Sequence, residues 1–153
     1  MIEIRSARPD DLTIVASWIG SEQECRLWSG ARVAYPIDLT TLPGALQYVE
    51  SESHALTSAG RLVAFGQLVP KPGDRLHLAR MISAPHHRRE GWGRRMAAHL
   101  LGAALARGPA AISLNVDPEN GPALALYEAL GFAPAARPQD EPETDSVYME
   151  RAR

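Results

Sequence analysis

Apolar residues recur along this chain at two periods, and the switches between them mark the elements. Ile2 to Arg5 alternates and predicts a short strand. Pro9 and Asp10 suit a helix start, and Leu12, Val15, Ala16 and Ile19 then fall at i, i+3, i+4 and i+7, the stripe of an amphipathic helix. Leu42, Leu46 and Val49 share a face and predict a second short helix over Thr41 to Glu50. The stretch between them, "SEQECRLWSGARVAYP", shows no clear period and reads as irregular. Three strand-like runs follow, His54 to Ser58, Leu62 to Val69 and Arg75 to Ser83. The turn sequences "SAGR" and "PKPGD" between them predict an antiparallel meander.

Met96, Leu100, Leu101, Ala104 and Leu105 predict a helix from Gly91 to about Arg107, stopped by Gly108. "AAISLNV" is strand-like, Asn120 to Leu130 is helical with Gly131 at its end, and "SVYMER" is a last strand. A proline- and acid-rich loop, "APAARPQDEPE", precedes that strand. The order is β-α-α-β-β-β-α-β-α-β. A helix connects the strand ending at Ser83 to the strand at Ala111, so those two strands are expected to run parallel in a mixed α/β sheet with an antiparallel front half.

Composition narrows the function classes. A chain of 153 residues is read as one domain, 1–153, long enough to bury a core. A net charge of -2 argues against a dedicated nucleic-acid partner, which would carry a basic excess. Cys25 is the only cysteine, which excludes an internal disulfide framework and a Cys-based zinc cluster. It reads as a structural residue, since nothing nearby marks an activated thiol. His86 and His87 have no third residue at ligand spacing, so no metal is expected. No apolar run approaches the roughly 20 residues of a membrane span. "MIEIRSARPDD" lacks a signal architecture, so the chain is assigned to the cytoplasm with no membrane partner. The charge is unevenly spread: Arg88, Arg89, Arg94 and Arg95 crowd the middle, and Asp140, Glu141, Glu143 and Asp145 crowd a late loop. That asymmetry suits a local anionic ligand better than a long polyanion.

The arginines frame "HHRREGWGRR", where Gly91 and Gly93 open the long helix. A helix start offers unpaired amides and a partial positive charge, and glycines let an anion approach closely. The loop has no G-x-x-x-x-G-K-[ST], and "GWGRRM" lacks the third small residue of the dinucleotide fingerprint. The bland alternative is a glycine-relaxed turn with its arginines in water. "ISAPHHRREGWGRRMAAHLLGAAL" resembles the acetyl-CoA-binding segment of the GNAT acetyltransferase superfamily, with Arg88-Arg89-Glu90-Gly91-Trp92-Gly93 at its [Q/R]-x-x-G-x-[G/A] signature and Pro85 three residues earlier. "NGPALALYEALGF" is similar to the family's second segment, at the usual distance downstream, and the element order agrees along essentially the whole chain.

The resemblance implies a splayed parallel strand pair with the pantetheine arm of acetyl-CoA inserted between the strands. The backbone of Met81, Ile82 and Ser83 would then bond that arm, and the amides of Arg88, Arg89, Glu90, Gly91, Trp92, Gly93 and Arg94 would hold the pyrophosphate. Asn120 matches the asparagine that touches the arm, and it is equally a helix N-cap with Pro122 in the first turn. Tyr127 is the candidate acid: a phenol with a pKa near 10 can give a proton to the departing thiolate. It also lies on the stripe Ala123, Leu126, Tyr127, Leu130, where it would be a core aromatic.

Many members of the family use a strand glutamate as base, and "RLHLARMIS" contains no carboxylate. Simple alternation puts His77, Ala79, Met81 and Ser83 on one face and Leu78, Arg80 and Ile82 on the other. His77 is the candidate base, with a packed histidine as the alternative. Arg80 can hold an acceptor carboxylate or pair with an internal acid. Trp28, Arg32 and Tyr35, from the segment between the first two helices, are candidate acceptor walls, with Glu22 or Glu24 able to attract an ammonium. Two functions follow: acetyl transfer to a primary amine of a small molecule or peptide by direct attack in a ternary complex, or a catalytically silent acyl-CoA-binding module. A homodimer is compatible with either.

Overall fold

The meander is built from β1 (Ile2–Ser6), β2 (Glu52–Ser58), β3 (Arg61–Lys71) and β4 (Arg75–Ser83), each antiparallel to the next, in a computed structural model that describes residues 1–152. Ala59 and Gly60 turn β2 into β3, and Gly73 and Asp74 turn β3 into β4. All four residues have positive φ, the turn geometry whose twist matches that of paired strands. Strand β5 (Ala111–Val116) lies parallel to β4, β6 (Ala133–Pro134) forms the far edge, and β7 (Val147–Ala152) sits between them. The seven-stranded order is β1-β2-β3-β4-β5-β7-β6. The expected parallel pair, antiparallel front half and flanking helices are all present.

Helices α1 (Pro9–Ser17), α2 (Glu22–Ser29) and α3 (Leu42–Ala45) come before β2, and α4 (Trp92–Arg107) and α5 (Gly121–Ala129) flank β5 in sequence. They divide the interior in two. Leu56, Ala64, Leu68, Leu78, Ile112 and Leu114 pack with Met96, Leu100 and Ala104 of α4. Phe65 and Ala55 point the other way, against Leu12, Val15, Cys25, Trp28, Leu42 and Leu46. Gly66 lies under α4, where a Cβ would come within 2.7 Å of Leu100 Cδ1, so the helix and sheet backbones meet closely there.

Two expectations are corrected before β2. The segment read as irregular contains α2, which starts on Ser21 accepting the Glu24 amide at 3.1 Å and buries Cys25 and Trp28. The helix expected over Thr41 to Glu50 is the single turn Leu42–Ala45, and Gln47 has a φ of 54° that no α-helix accommodates.

The third correction concerns β4. Phe65 pairs with Ile82 and Gln67 pairs with Ala79, so Gly66 opposes both Arg80 and Met81, a β-bulge with Arg80 at φ 52°. The bulge resets the alternation. His77 and Ala79 share their face with Arg80 and Ile82, whereas Met81 turns to the face of Leu76 and Leu78, beside Met96 and Leu100. Met81 therefore does not share a face with His77.

Just before the bulge the parallel pair parts. β4 and β5 are in register from Arg75↔Ala111 to Leu78↔Leu114 and no further, while Asn115 and Val116 continue on Tyr148 and Val147 of β7. Among the described residues no helix is long and apolar enough to cross a membrane.

Candidate active site

The parted ends of β4 and β5 leave a cleft of about 330 Å³. Met81, Ile82 and Ser83 line it from β4, Gly93 and Arg94 from the first turn of α4, and Pro122, Ala123, Leu126 and Tyr127 from α5. The fold thus brings together the strand residues, the last two residues of the glycine loop and the phenol that sequence reasoning singled out.

Gly91 is the N-cap of α4, with φ 86° and ψ 9°, and Arg89 before it also has positive φ. The first intrahelical bond is donated by Arg95 to the Gly91 carbonyl, at 3.0 Å. Among the described residues, the amides of Gly91, Trp92, Gly93 and Arg94 have no acceptor in the chain. A Cβ at Gly91 or Gly93 would meet nothing within 4 Å, so the approach to these donors is open. Arg88, Arg89 and Arg94 are exposed around them. Glu90, the one acid in the loop, accepts Trp92 Nε1–H at 3.0 Å and lies 3.3 Å from His87 Nδ1. Arg95 stacks 5.5 Å from the centroid of the Trp92 ring. Four free amides, a helix dipole and several guanidinium groups suit a diphosphate.

Tyr127 packs edge-on to Phe132, with ring centroids 6.3 Å apart, and burial pushes its phenol above the ordinary value of 10.0. It is therefore protonated at neutral pH. Asn120 caps α5, its Oδ1 accepting the Ala123 amide at 3.2 Å, and it is not among the residues lining the cleft.

His77 is not brought to the cleft. It is 6% exposed on the opposite face of β4 from Met81. Asn115 Nδ2 donates toward its Nε2 at 3.3 Å, so its proton is assigned to Nδ1, which donates to Ser113 Oγ at 2.7 Å. Ser113 Oγ also accepts from Arg75 at 2.8 Å. Burial pushes the imidazole down to about 3; Glu141 pulls it upward, and Lys71, Arg75 and Arg80 push it further down. His77 is a neutral, fully occupied imidazole. Its neighbours form a network that sequence reasoning missed: Glu141 pairs with Lys71 at 2.9 Å, and Arg75 pairs with Asp140 at 2.7 Å. The acidic loop after β6 thus folds onto cations of β3 and β4.

The acceptor candidates divide. Trp28 is buried, and its Nε1–H donates 2.9 Å to the Arg80 carbonyl at the bulge. The Arg80 guanidinium donates to Gln67 Oε1 at 2.8 Å, Leu46 O at 3.2 Å and Gln47 Oε1 at 3.1 Å, so its internal partners are neutral rather than acidic. Burial, then the charge of Arg32, lowers it to about 10. Arg32 and Tyr35 are exposed.

Residues 16–132 match the model of the Acetyltransferase (GNAT) family. The ribosomal protein bS18-alanine N-acetyltransferase of Escherichia coli strain K12 is 31% identical over 130 residues, covering 71% of this chain and 86% of that protein. A crystal structure of the ribosomal-protein-S18-alanine N-acetyltransferase from Escherichia coli superposes with a TM-score of 0.72 at 30% identity, covering 99% of this chain and 94% of that one. Spermidine N-acetyltransferase from Vibrio cholerae, in complex with CoA and spermine, superposes with a TM-score of 0.79. Its identity is 18%, over 99% of this chain and 95% of that one, a likeness of fold.

Proposed function

This chain belongs to the GNAT family of acetyl-CoA-dependent N-acetyltransferases, and on that basis we propose that it acetylates a primary amine, the N-terminal amine of a peptide, by direct attack in a ternary complex. The observation that carries the reading is the Tyr127 phenol in the cleft between the parted strands, a cleft also lined by Gly93 and Arg94, two of the four amides that have no acceptor among the described residues. The peptide acceptor rests on the 31% identical relative, an alanine N-acetyltransferase of a ribosomal protein.

Acetyl-CoA supplies a thioester-activated acetyl group. The amides of residues 88–94 bind its diphosphate, and the backbone of Met81 to Ser83 orients the arm as an extra strand would be oriented. The acceptor nitrogen bonds to the acyl carbon, the C–S bond breaks, and Tyr127 gives its phenolic proton to the departing sulfur. Such proton donation contributes roughly 10²- to 10⁴-fold. Among the described residues neither a carboxylate nor an imidazole lines the cleft. The amine therefore attacks as the neutral form, any ammonium proton having gone to water, and the N–H proton it sheds on becoming an amide returns through water to the Tyr127 phenolate; His77 serves the fold. Arg32 and Tyr35 are assigned to acceptor contact, with Trp28 and Arg80 holding the bulge that borders it.

The test is release of free thiol from acetyl-CoA across a panel of an alanine-initiated peptide, a lysine peptide with a blocked N-terminus, spermidine and an aminoglycoside. Release with the alanine-initiated peptide alone is the expected result. Saturable coenzyme A binding without turnover on any amine would favour a silent acyl-CoA-binding module, and no heat on titrating coenzyme A would remove the diphosphate cradle.

A further inference from the structure

A second side-chain cluster lies on the α4 face of the sheet, away from the cleft. His54 of β2 and His99 of α4 meet with Nδ1 and Nε2 3.0 Å apart, and their rings cross at 61°. Both histidines neighbour core positions in the chain: Leu56 follows His54 on the same face of β2, and Leu100 follows His99 in α4, both leucines fully buried. On its far side, His54 Nε2 lies 3.4 Å from Glu52 Oε1, and the other carboxylate oxygen of Glu52 pairs with Arg107.

Glu52 decides the tautomer. A carboxylate next to Nε2 favours the proton on that nitrogen, which leaves a lone pair on Nδ1 aimed at His99. Carboxylate, imidazole N–H and a free second nitrogen form the arrangement in which histidine ligates a transition metal, the carboxylate orienting the ring. Only one proton can bridge the two facing nitrogens. A cation accepting lone pairs from both would replace it.

The geometry points to a two-histidine site for a borderline divalent metal such as Zn²⁺ or Ni²⁺, with His54 Nδ1 and His99 Nε2 as ligands and Glu52 as the orienting carboxylate. Metal–nitrogen bonds of about 2.0–2.1 Å at a tetrahedral angle separate two ligand nitrogens by about 3.4 Å, so the pair must open by about 0.4 Å. Small rotations of two half-buried rings supply that. His54 also borders a cleft of about 340 Å³ that includes Ser6, Ser51 and Glu52, which leaves room for water to complete the coordination. With two protein ligands the site exchanges its metal readily. It ties β2 to α4, the helix whose first turn carries the free amides, and His99 lies two turns along from them.

The experiment uses the full chain without an affinity tag, stripped with chelator, and titrated with ZnCl₂ and separately with NiCl₂ in a non-coordinating buffer at neutral pH. Calorimetry and melting temperature are the readouts. One saturable equivalent is expected, with a melting temperature that rises with metal concentration. His54→Gln and His99→Gln should each weaken binding at least tenfold, and Glu52→Gln by about tenfold. His87→Gln should bind as the parent does. No saturable equivalent by millimolar metal, or binding unchanged in both histidine variants, overturns the site. Binding lost in His87→Gln and kept in His99→Gln would place the metal at the His87–Glu90 turn instead and equally overturn it. Should a histidine variant fail to fold, Glu52→Gln decides: unchanged affinity refutes the orienting role on which the site rests.

Discussion

From Arg75 to Leu78, β4 lies in register with β5, and the polar groups on that face are spent on one another: His77 on Ser113, Arg75 on Asp140, Lys71 on Glu141. From Ala79 onward the same strand turns away through the Arg80 bulge, and a cleft opens between it and β5. The closed end holds the ionisable side chains that are paired and buried, and the open end holds backbone, mostly apolar side chains, Ser83, Arg94 and one phenol. Carboxylates and imidazoles are therefore a poor guide to where this sheet opens. A thioester with a diphosphate tail calls for amide donors and one proton. Charged side chains packed into a strand pair call for partners.

The largest test of that contrast is Tyr127→Phe. It removes only the hydroxyl at the open end, so turnover should fall about 10²-fold or more while coenzyme A affinity and melting temperature stay near the parent values. Unchanged turnover in steady-state assays would return Tyr127 to the role of a packing aromatic.

Next in size is Glu141→Gln at the closed end. The side chain of Glu141 is 2% exposed, and its loss of charge leaves Lys71 without its carboxylate and Arg75 with Asp140 alone. Stability measured by urea unfolding should drop by about 3 kcal/mol, the scale of a broken buried pair. The KM for acetyl-CoA should not move. A large change in that KM with little loss of stability would erase the distinction between the two ends.

Acid titration is the gentlest probe. Burial holds His77 near 3 in the fold against 6.5 when unfolded, so its contribution is complete above about pH 6.5 and is lost as pH falls toward 3. The slope is at most about 1.4 kcal/mol per pH unit, because one proton is taken up on unfolding. Burial also lowers His54 and His99, and these add loss in the same direction. For Glu141, burial raises the carboxyl, but Lys71 and the neighbouring charges outweigh it and hold the group below 4.5. Its share is present above about 4.5 and is lost at still lower pH. Melting curves between pH 6.5 and 4.5 should therefore flatten in His77→Gln relative to the parent; an identical slope would mean that His77 titrates normally in the fold.

Much of the frame is legible in the sequence. β4 runs from Arg75 to Ser83 as its apolar run and flanking turn residues predict, and α4 stops at Gly108, which has a φ of 64°. Helix α2 had a local signal, Ser21 followed three residues later by Glu24 before Cys25 and Trp28, but too few apolar positions to show a period. The helix expected after Thr41 rested on Leu42, Leu46 and Val49, yet Pro43 and Gly44 weaken it and Val49 is 89% exposed. At the candidate site, the placement of Gly91 and Gly93 at a helix start and of Tyr127 on a helix was legible because a motif fixes what sits at a turn and on a helix face. His77 was not, because its role depends on Ser113, Asn115 and Glu141, which lie 36 or more residues away in the chain.

The sequence by itself determined the period of each major strand and helix, the crossover that makes one strand pair parallel, and the glycines that leave a helix start uncovered. Those are local properties: a side chain's shape, a φ that suits glycine, the distance one helix can span. Tertiary structure alone decided where that pair parts, which way Met81 faces, and which charges are buried. An arginine at positive φ is a local cost, recovered here only because Trp28, Gln67 and Leu46 converge on Arg80 from three distant segments.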